Sequence, residues 1–319
     1  MTHNQHFDIY IASCCEDGGI FHYSLSENGE IKLIDKTACQ KPMYMVADNN
    51  KMYVLLREPF EDSAESGLIV YDIASDGKLI NPSKIISTKG EVACHLMTFN
   101  ESVYAVNYIS GSVIKFPDKL ILHHGRGVNK KRQEGTHTHF IGTTPDKKYI
   151  CVADLGLDSV FLYDKDLNYI DHVKVPLGHG ARHIAFSEDG RFMFVANELM
   201  STVSAFSYSQ GKLSHIDTKK CLPADFNGES TVGAIRVHNG DVFVSNRGHD
   251  SIARMSFDSN KLTYIESIPC GGRTPRDFDF AGDLIISCNQ DSDNVVLINE
   301  KLRTEINIKT PLCVCVKYV

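Results

Sequence analysis

An arginine and a histidine stand side by side at Arg182 and His183 in the segment ARHIAFSEDGRFMFVANELMSTV, Ala181 to Val203, and a glutamate follows at Glu198. A guanidinium grips an anion, an imidazole moves a proton, and a carboxylate can draw one from water, so the set suits acid–base work on a small anionic molecule. A second dense stretch is RQEGTHTHF, Arg132 to Phe140, in which His137 and His139 are two apart and would share a face if both lay on a strand. An HxH pair can bind a metal, but such sites usually need a third ligand, and no Cys or His cluster at a suitable spacing supplies one. His95 and Glu198 are the remaining candidates. The expectation is therefore neither metal nor cofactor.

Weaker copies of the Ala181 segment recur about every 42 to 51 residues, and the residue ending the second apolar run of each copy is Leu56, Asn107, Asp154, Asn197, Asn246 and Asn289. Within one copy, HIAF is a short strand, SEDGR a hairpin turn centred on Asp-Gly, FMFVAN a second strand, VSAFSYS a third and LSHIDTK a fourth. Short strands repeating at this length specify an all-β fold, a seven-bladed β-propeller of four-stranded antiparallel blades. At the N-terminus DIYIASC, IFHYSLS and IKLIDKT supply second, third and fourth strands without a first, while PLCVCVKYV at the C-terminus reads as a first strand with nothing after it. One blade is thus expected to be assembled from both ends of the chain, leaving no exposed sheet edge.

Propellers bind ligands where loops meet around the central channel, so the starts of the inner strands and the ends of the second strands act as a filter. The first set carries His95, His137, His139, Arg182, His183 and Arg276; the second carries Asn107, Asp154, Asn197 with Glu198, Asn246 with Arg247, and Asn289 with Gln290. Each has a plainer alternative. An Asn or Asp ending a strand often bonds its own backbone, His183 could be a core histidine, and Arg182, Arg247 and Arg276 could form interblade salt bridges. Asp158, Asp250 and Asp293 read as loop-structuring.

A formal net charge of -7 argues against nucleic-acid or acidic-membrane partners. The ten cysteines include no CxxC and mostly lie inside strand patterns, so they are expected to be reduced core residues. The polar start MTHNQHFD has no apolar core of a signal peptide, and no run approaches a membrane span. One domain over residues 1–319, cytoplasmic, monomeric or homodimeric, is the expectation.

RQEGTHTHF, VADLGLDSVFLYD, the Gly180 to Phe206 segment, FVSNRGHDSIA and GGRTPRDFDF together resemble the seven-bladed lactonase family, which contains propeller-type bacterial 6-phosphogluconolactonases and, more distantly, fungal carboxy-muconate cyclases. The resemblance spans almost the whole chain. It implies hydrolysis of a sugar lactone, with 6-phosphogluconolactone as the leading substrate. It also implies site roles for one of His137 or His139 and for Arg182, Glu198 and Arg247. On this reading Glu198 activates water, Arg182 and a histidine hold the developing oxyanion, and Arg247 with Arg276 holds the phosphate. His183, Asp154, His95 and Asn107 complete the expected substrate contacts. Glu198→Gln is then expected to lower turnover with little effect on folding. A lactonizing cycloisomerase and a non-catalytic binding propeller remain alternatives. The chain departs from the family pattern at Arg57, Glu58 and Pro59, which lead into an acidic loop, Glu61 to Ser66.

Overall fold

The computed structural model describes residues 6–26, 30–299 and 304–319; the start of the polar N-terminal segment lies outside them. Seven antiparallel sheets follow one another along the chain, and in the fifth the strands Ala181–Phe186, Phe192–Asn197, Thr202–Ser209 and Lys212–Lys220 lie side by side in sequence order. The SEDGR turn is closed by Gly190, whose N–H donates to Ser187 O while its φ of 70° occupies the region glycine adopts without strain.

The first blade is built from both ends. Its inner strand, Cys313–Tyr318, pairs antiparallel with His6–Ser13, as in Ile9 with Tyr318 and Ile11 with Val316. The second blade departs from the four-strand plan. Its outer strand is split into Leu79–Ile80 and Ile86–Glu91, both paired to Glu65–Ile73, and Pro82, which has no N–H to donate, lies in the break. That third strand begins at Glu65, so the acidic loop is two residues shorter than expected.

Both faces of each blade are covered by its neighbours, which explains strands that read as near-continuous apolar runs. The core is accordingly a ring of interblade clusters. Cys151, Val160 and Leu162 of the fourth blade pack on Met193, Val195 and Phe206 of the fifth, and Ile286 and Val295 of the seventh on Ile9, Leu25 and Val316 of the first. All ten cysteines are free thiols and eight are buried, so they serve as small core residues; Cys15 and Cys39 are half-buried.

Two repeated devices set the inner rim of the ring. In each blade the register between the first and second strands slips at one place, leaving an extra residue on the inner strand. These β-bulges fall at Met43, Cys94, His139, Arg182, Arg276 and Val314, with Gly233 and Ala234 in the sixth blade. The bulge explains why the fifth inner strand begins at Ala181 rather than His183. It also defeats the shared-face argument for the two histidines, because His137 lies just before its strand and His139 is itself the bulged residue. The second device is a clasp. Asp158, Asp250 and Asp293, each in left-handed backbone before a third strand, accept N–H groups from the segment leading into the next blade: Gly178 and Gly180, Thr274, and Leu312.

The closing strand buries Cys313, Val314, Cys315 and Val316, each side chain worth about 1.5–3 kcal/mol or somewhat less for cysteine. Removing Pro311 to Val319 is expected to lower the melting temperature by at least about 10 °C, measured by circular dichroism. An unchanged transition would show that the ring does not depend on this strand.

Candidate active site

The bulges turn the start of each inner strand toward the channel. Met43, Cys94, His139, Arg182, Arg276 and Val314 line one cavity, together with Tyr44, His183 and Asp277 from the residues that follow. A second ring stands over them, one residue beyond each second strand, or in the sixth blade its last residue: Cys14, Arg57, Tyr108, Leu155, Glu198, Arg247 and Gln290. The backbone fixes this ring in the same way around the fold. The N–H groups of Cys14, Arg57, Tyr108, Leu155, Glu198 and Gln290 donate to Leu312, Lys41, Val92, His137, Gly180 and Thr274, each two residues before a bulge. Members of the two rings meet. Cys14 Sγ lies 3.2 Å from Met43 Sδ, Tyr108 stacks edge-on to His139, and Gln290 Oε1 accepts from Arg276 Nη1 at 2.9 Å.

Glu198 is the centre. Its side chain is only 6% exposed, and three guanidinium groups surround it: Arg132 Nη2 at 2.5 Å from Oε1, and Arg182 Nε at 2.9 Å and Arg247 Nη2 at 3.0 Å from Oε2. Burial alone would raise its pKa, but Arg247, Arg182 and Arg132 outweigh it and hold the carboxyl well below the usual carboxylate range. Arg182 is as deeply buried, and burial together with Arg247 pulls it down to about 9. Its Nε is near Glu198 but not aimed at it, so Nε and Nη1 of Arg182, like Nε of Arg247, are buried donors without a hydrogen-bond partner among the described residues. Arg247 Nη2 also donates to Val232 O at 2.7 Å. With Arg276, four cations converge around one buried carboxylate in a chain of net charge -7.

Beside this cluster, His137 Nδ1 faces Tyr108 O at 3.1 Å. A carbonyl only accepts, so Nδ1 carries the proton and Nε2 keeps its lone pair when the ring is neutral. That Nε2 lies 3.3 Å from Glu134 Oε1, and the ring is stacked on Tyr108 with centroids 4.5 Å apart. His139, His95 and His183 are held neutral instead. All three are pushed well below the ordinary histidine value by burial first, then by Arg182 for His139 and His183 and by Lys317 for His95. His183 packs against both others, with centroids 5.2 Å from His139 and 5.4 Å from His95.

Farther down the inner strands the channel is filled. Lys317 Nζ donates to Tyr44 Oη at 3.0 Å, Tyr44 packs on His95, and Arg236 pairs with Asp277 at 2.9 Å.

The expected residues therefore divide. Glu198, Arg182, Arg247, Arg276, His137, His139 and His183 are gathered at the cleft. His95 sits below them. Asp154 and Asn107 brace the frame. Asp154 Oδ1 accepts the His137 N–H at 2.9 Å, and Oδ2 accepts from His123 Nδ1 at 2.7 Å, while Tyr163 Oη donates to His123 Nε2. Asn107 Nδ2 donates to Thr88 O and Ser112 Oγ. Arg132, Tyr108 and Glu134 were missed. Tyr108 shares a repeat position with Glu198 and Arg247, a signal one residue beyond the aligned column; Arg132 sits in a loop with no counterpart in the other blades. Among the described residues no group of three His, Cys, Asp or Glu is arranged to hold a metal, and no helix is long and apolar enough to cross a membrane.

Fold and site together define a propeller whose central cleft gathers arginines around one buried carboxylate. The description of the seven-bladed β-propeller lactonases matches residues 8–317, and the chain belongs to that family. It is 30% identical over 308 residues to an uncharacterized protein of Staphylococcus aureus strain USA300, covering 89% of each. The fold is shared with a candidate 6-phosphogluconolactonase from Bacteroides fragilis (TM-score 0.89, 23% identity, covering 100% of this chain and 99% of that one). It is shared equally with the periplasmic gluconolactonase of Pseudomonas aeruginosa (0.87, 22%, 99% of both).

Two outcomes follow. Replacing Glu198 by Gln removes the counter-charge of buried Arg182, so stability should fall by roughly 3 kcal/mol or more, against the sequence-based expectation of little change. Denaturant unfolding measures this, and added phosphate should restore part of the loss. Second, a histidine whose folded pKa lies below its unfolded value of about 6.5 takes up its proton only on unfolding. The contribution of His95, His139 and His183 is thus present at pH 7.5 and lost as pH falls through about 6.5, by up to about 1.4 kcal/mol per pH unit for each. Charge facing His95 from Lys317, His139, Arg236 and Arg182 adds to this direction. His95→Phe should flatten the dependence of melting temperature on pH; an unaltered slope would place its origin elsewhere.

Proposed function

We propose that this lactonase-family propeller hydrolyses a sugar lactone, 6-phosphogluconolactone first among candidates, as a single cytoplasmic domain, monomeric or homodimeric, needing no cofactor and binding neither nucleic acid nor membrane. The observation that carries the reading is the three-arginine cage around buried Glu198, beside a histidine whose Nε2 is available as a base.

The roles shift from those the family resemblance implies. A carboxylate held far below its usual range makes a weak base at neutral pH, and both Glu198 oxygens already face arginines. His137 suits the task better. Its Nε2 takes a proton from water as the oxygen attacks the lactone carbonyl, and Glu134, at 3.3 Å, stabilises the imidazolium that forms. The unpartnered N–H groups of Arg182 and Arg247 receive the oxyanion. Collapse of the tetrahedral intermediate breaks the ring C–O bond, and the proton returns from His137 to the leaving hydroxyl. Glu198 keeps the arginines fanned in place. Such lactones open in water unaided, so one base worth about 100- to 10,000-fold and oxyanion donors worth about 100- to 1000-fold suffice.

Acid release from freshly generated 6-phosphogluconolactone is the test. Wild type should exceed the uncatalysed rate, and His137→Gln should lower kcat by about 100- to 10,000-fold. A wild-type rate no faster than buffer would end the lactonase reading, and turnover of a muconate instead would favour the cycloisomerase. Full activity in His137→Gln would move the base to Glu198 or His139.

A further inference from the structure

In the second blade the position equivalent to Tyr108, Glu198 and Arg247 is Arg57. Its N–H donates to Lys41 O at 3.0 Å, the bond by which Glu198 is tied to Gly180 and Gln290 to Thr274, so the backbone launches Arg57 toward the same cleft. The side chain is about half exposed, and its only paired carboxylate among the described residues is its neighbour Glu58, at 3.6 Å from Nε. Cys14 stands next in the same ring and touches Met43, which lines the cavity with Arg276. The Cys14 thiol registers what surrounds it: burial pushes it up, while Arg57, Arg276 and Lys41 pull it down. Lys41 is already tied to Glu16 at 2.7 Å. Arg276 in turn feels Arg247. Basic groups therefore stand around the rim from the Glu198 cluster through Arg247 and Arg276 to Arg57, whose blade lies three blades from those that carry Arg182 and Arg247.

We propose that Arg57, with Arg276 across Cys14 from it, forms a second anion subsite that takes the phosphate of a phosphorylated lactone while the reacting carbonyl lies against Arg182 and Arg247. This rests on the lactonase reading above and deepens it. Arg247 already serves Glu198 and Val232 O, whereas Arg57 presents a planar fork held only by a loose contact to Glu58, and a phosphate dianion engages such a fork bidentately. The subsite makes the cleft a ruler, favouring lactones with an anionic group at the end remote from the carbonyl.

The experiment compares kcat/KM for 6-phosphogluconolactone with that for unphosphorylated gluconolactone in wild type, Arg57→Ala, Arg57→Lys and Glu58→Gln. The phosphorylated-to-unphosphorylated ratio should fall about 10- to 100-fold in Arg57→Ala, through KM rather than kcat. It should fall less in Arg57→Lys and rise in Glu58→Gln. An unchanged ratio in Arg57→Ala overturns the subsite. Should wild type hydrolyse neither lactone, the lactonase reading fails, and titration calorimetry with inorganic phosphate still decides the subsite. Binding weakened in Arg57→Ala sustains it; equal binding, or none to wild type, overturns it. The position is half exposed, so the variants should fold, and an unaltered melting curve verifies this.

Discussion

The site depends on one geometrical constraint, the β-bulge that every inner strand carries at the same place. A regular strand would alternate its side chains between the two neighbouring blades and offer little to the channel. The extra residue breaks that alternation, so Arg182 and His183, or Arg276 and Asp277, line the cleft as adjacent pairs. The backbone meets the cost two residues earlier. Lys41, Val92, Gly180, Thr274 and Leu312 all take left-handed conformations there, uncomfortable for the β-branched Val92 and Thr274. The carbonyls of these same residues receive the N–H groups of the second ring, so strain and hydrogen bonding act at one locus.

On that frame, the electrostatics follow from placing more cations than anions in a poorly solvated space. Glu198 satisfies part of the demand of Arg132, Arg182 and Arg247. Donors left over on Arg182 and Arg247 carry the remainder, with no hydrogen-bond partner among the described residues. The carboxylate thereby holds the arginines in a fixed array, the kind of preorganisation the proposed chemistry would use when charge develops on a carbonyl.

The ring, its seven-fold count and its closure by both termini were legible because they depend on strand periodicity and turn chemistry, which repeat. The bulges were not, since only Gly180 among the left-handed positions is a residue type that advertises such backbone. Without them, His137 and His139 looked equivalent, although one is a fixed tautomer at the rim and the other a neutral buried ring. Asp154 and Asn107 were polar at the right column, yet their oxygens and amides bind the frame. Arg132 escaped because its reach to Glu198 crosses 66 residues of sequence, and nothing local records it.

The contacts packed lower in the channel, Lys317 on Tyr44, Tyr44 on His95 and Arg236 on Asp277, crowd the floor of the cleft. Under the proposed chemistry the arginines above that floor would meet two different groups in turn. What enters is an ester carbonyl and what leaves is a free carboxylate, a group that a guanidinium fork holds firmly. On that chemistry the acid product competes with the substrate for the same arginines, so the charge that would receive the reactant would also retain the product.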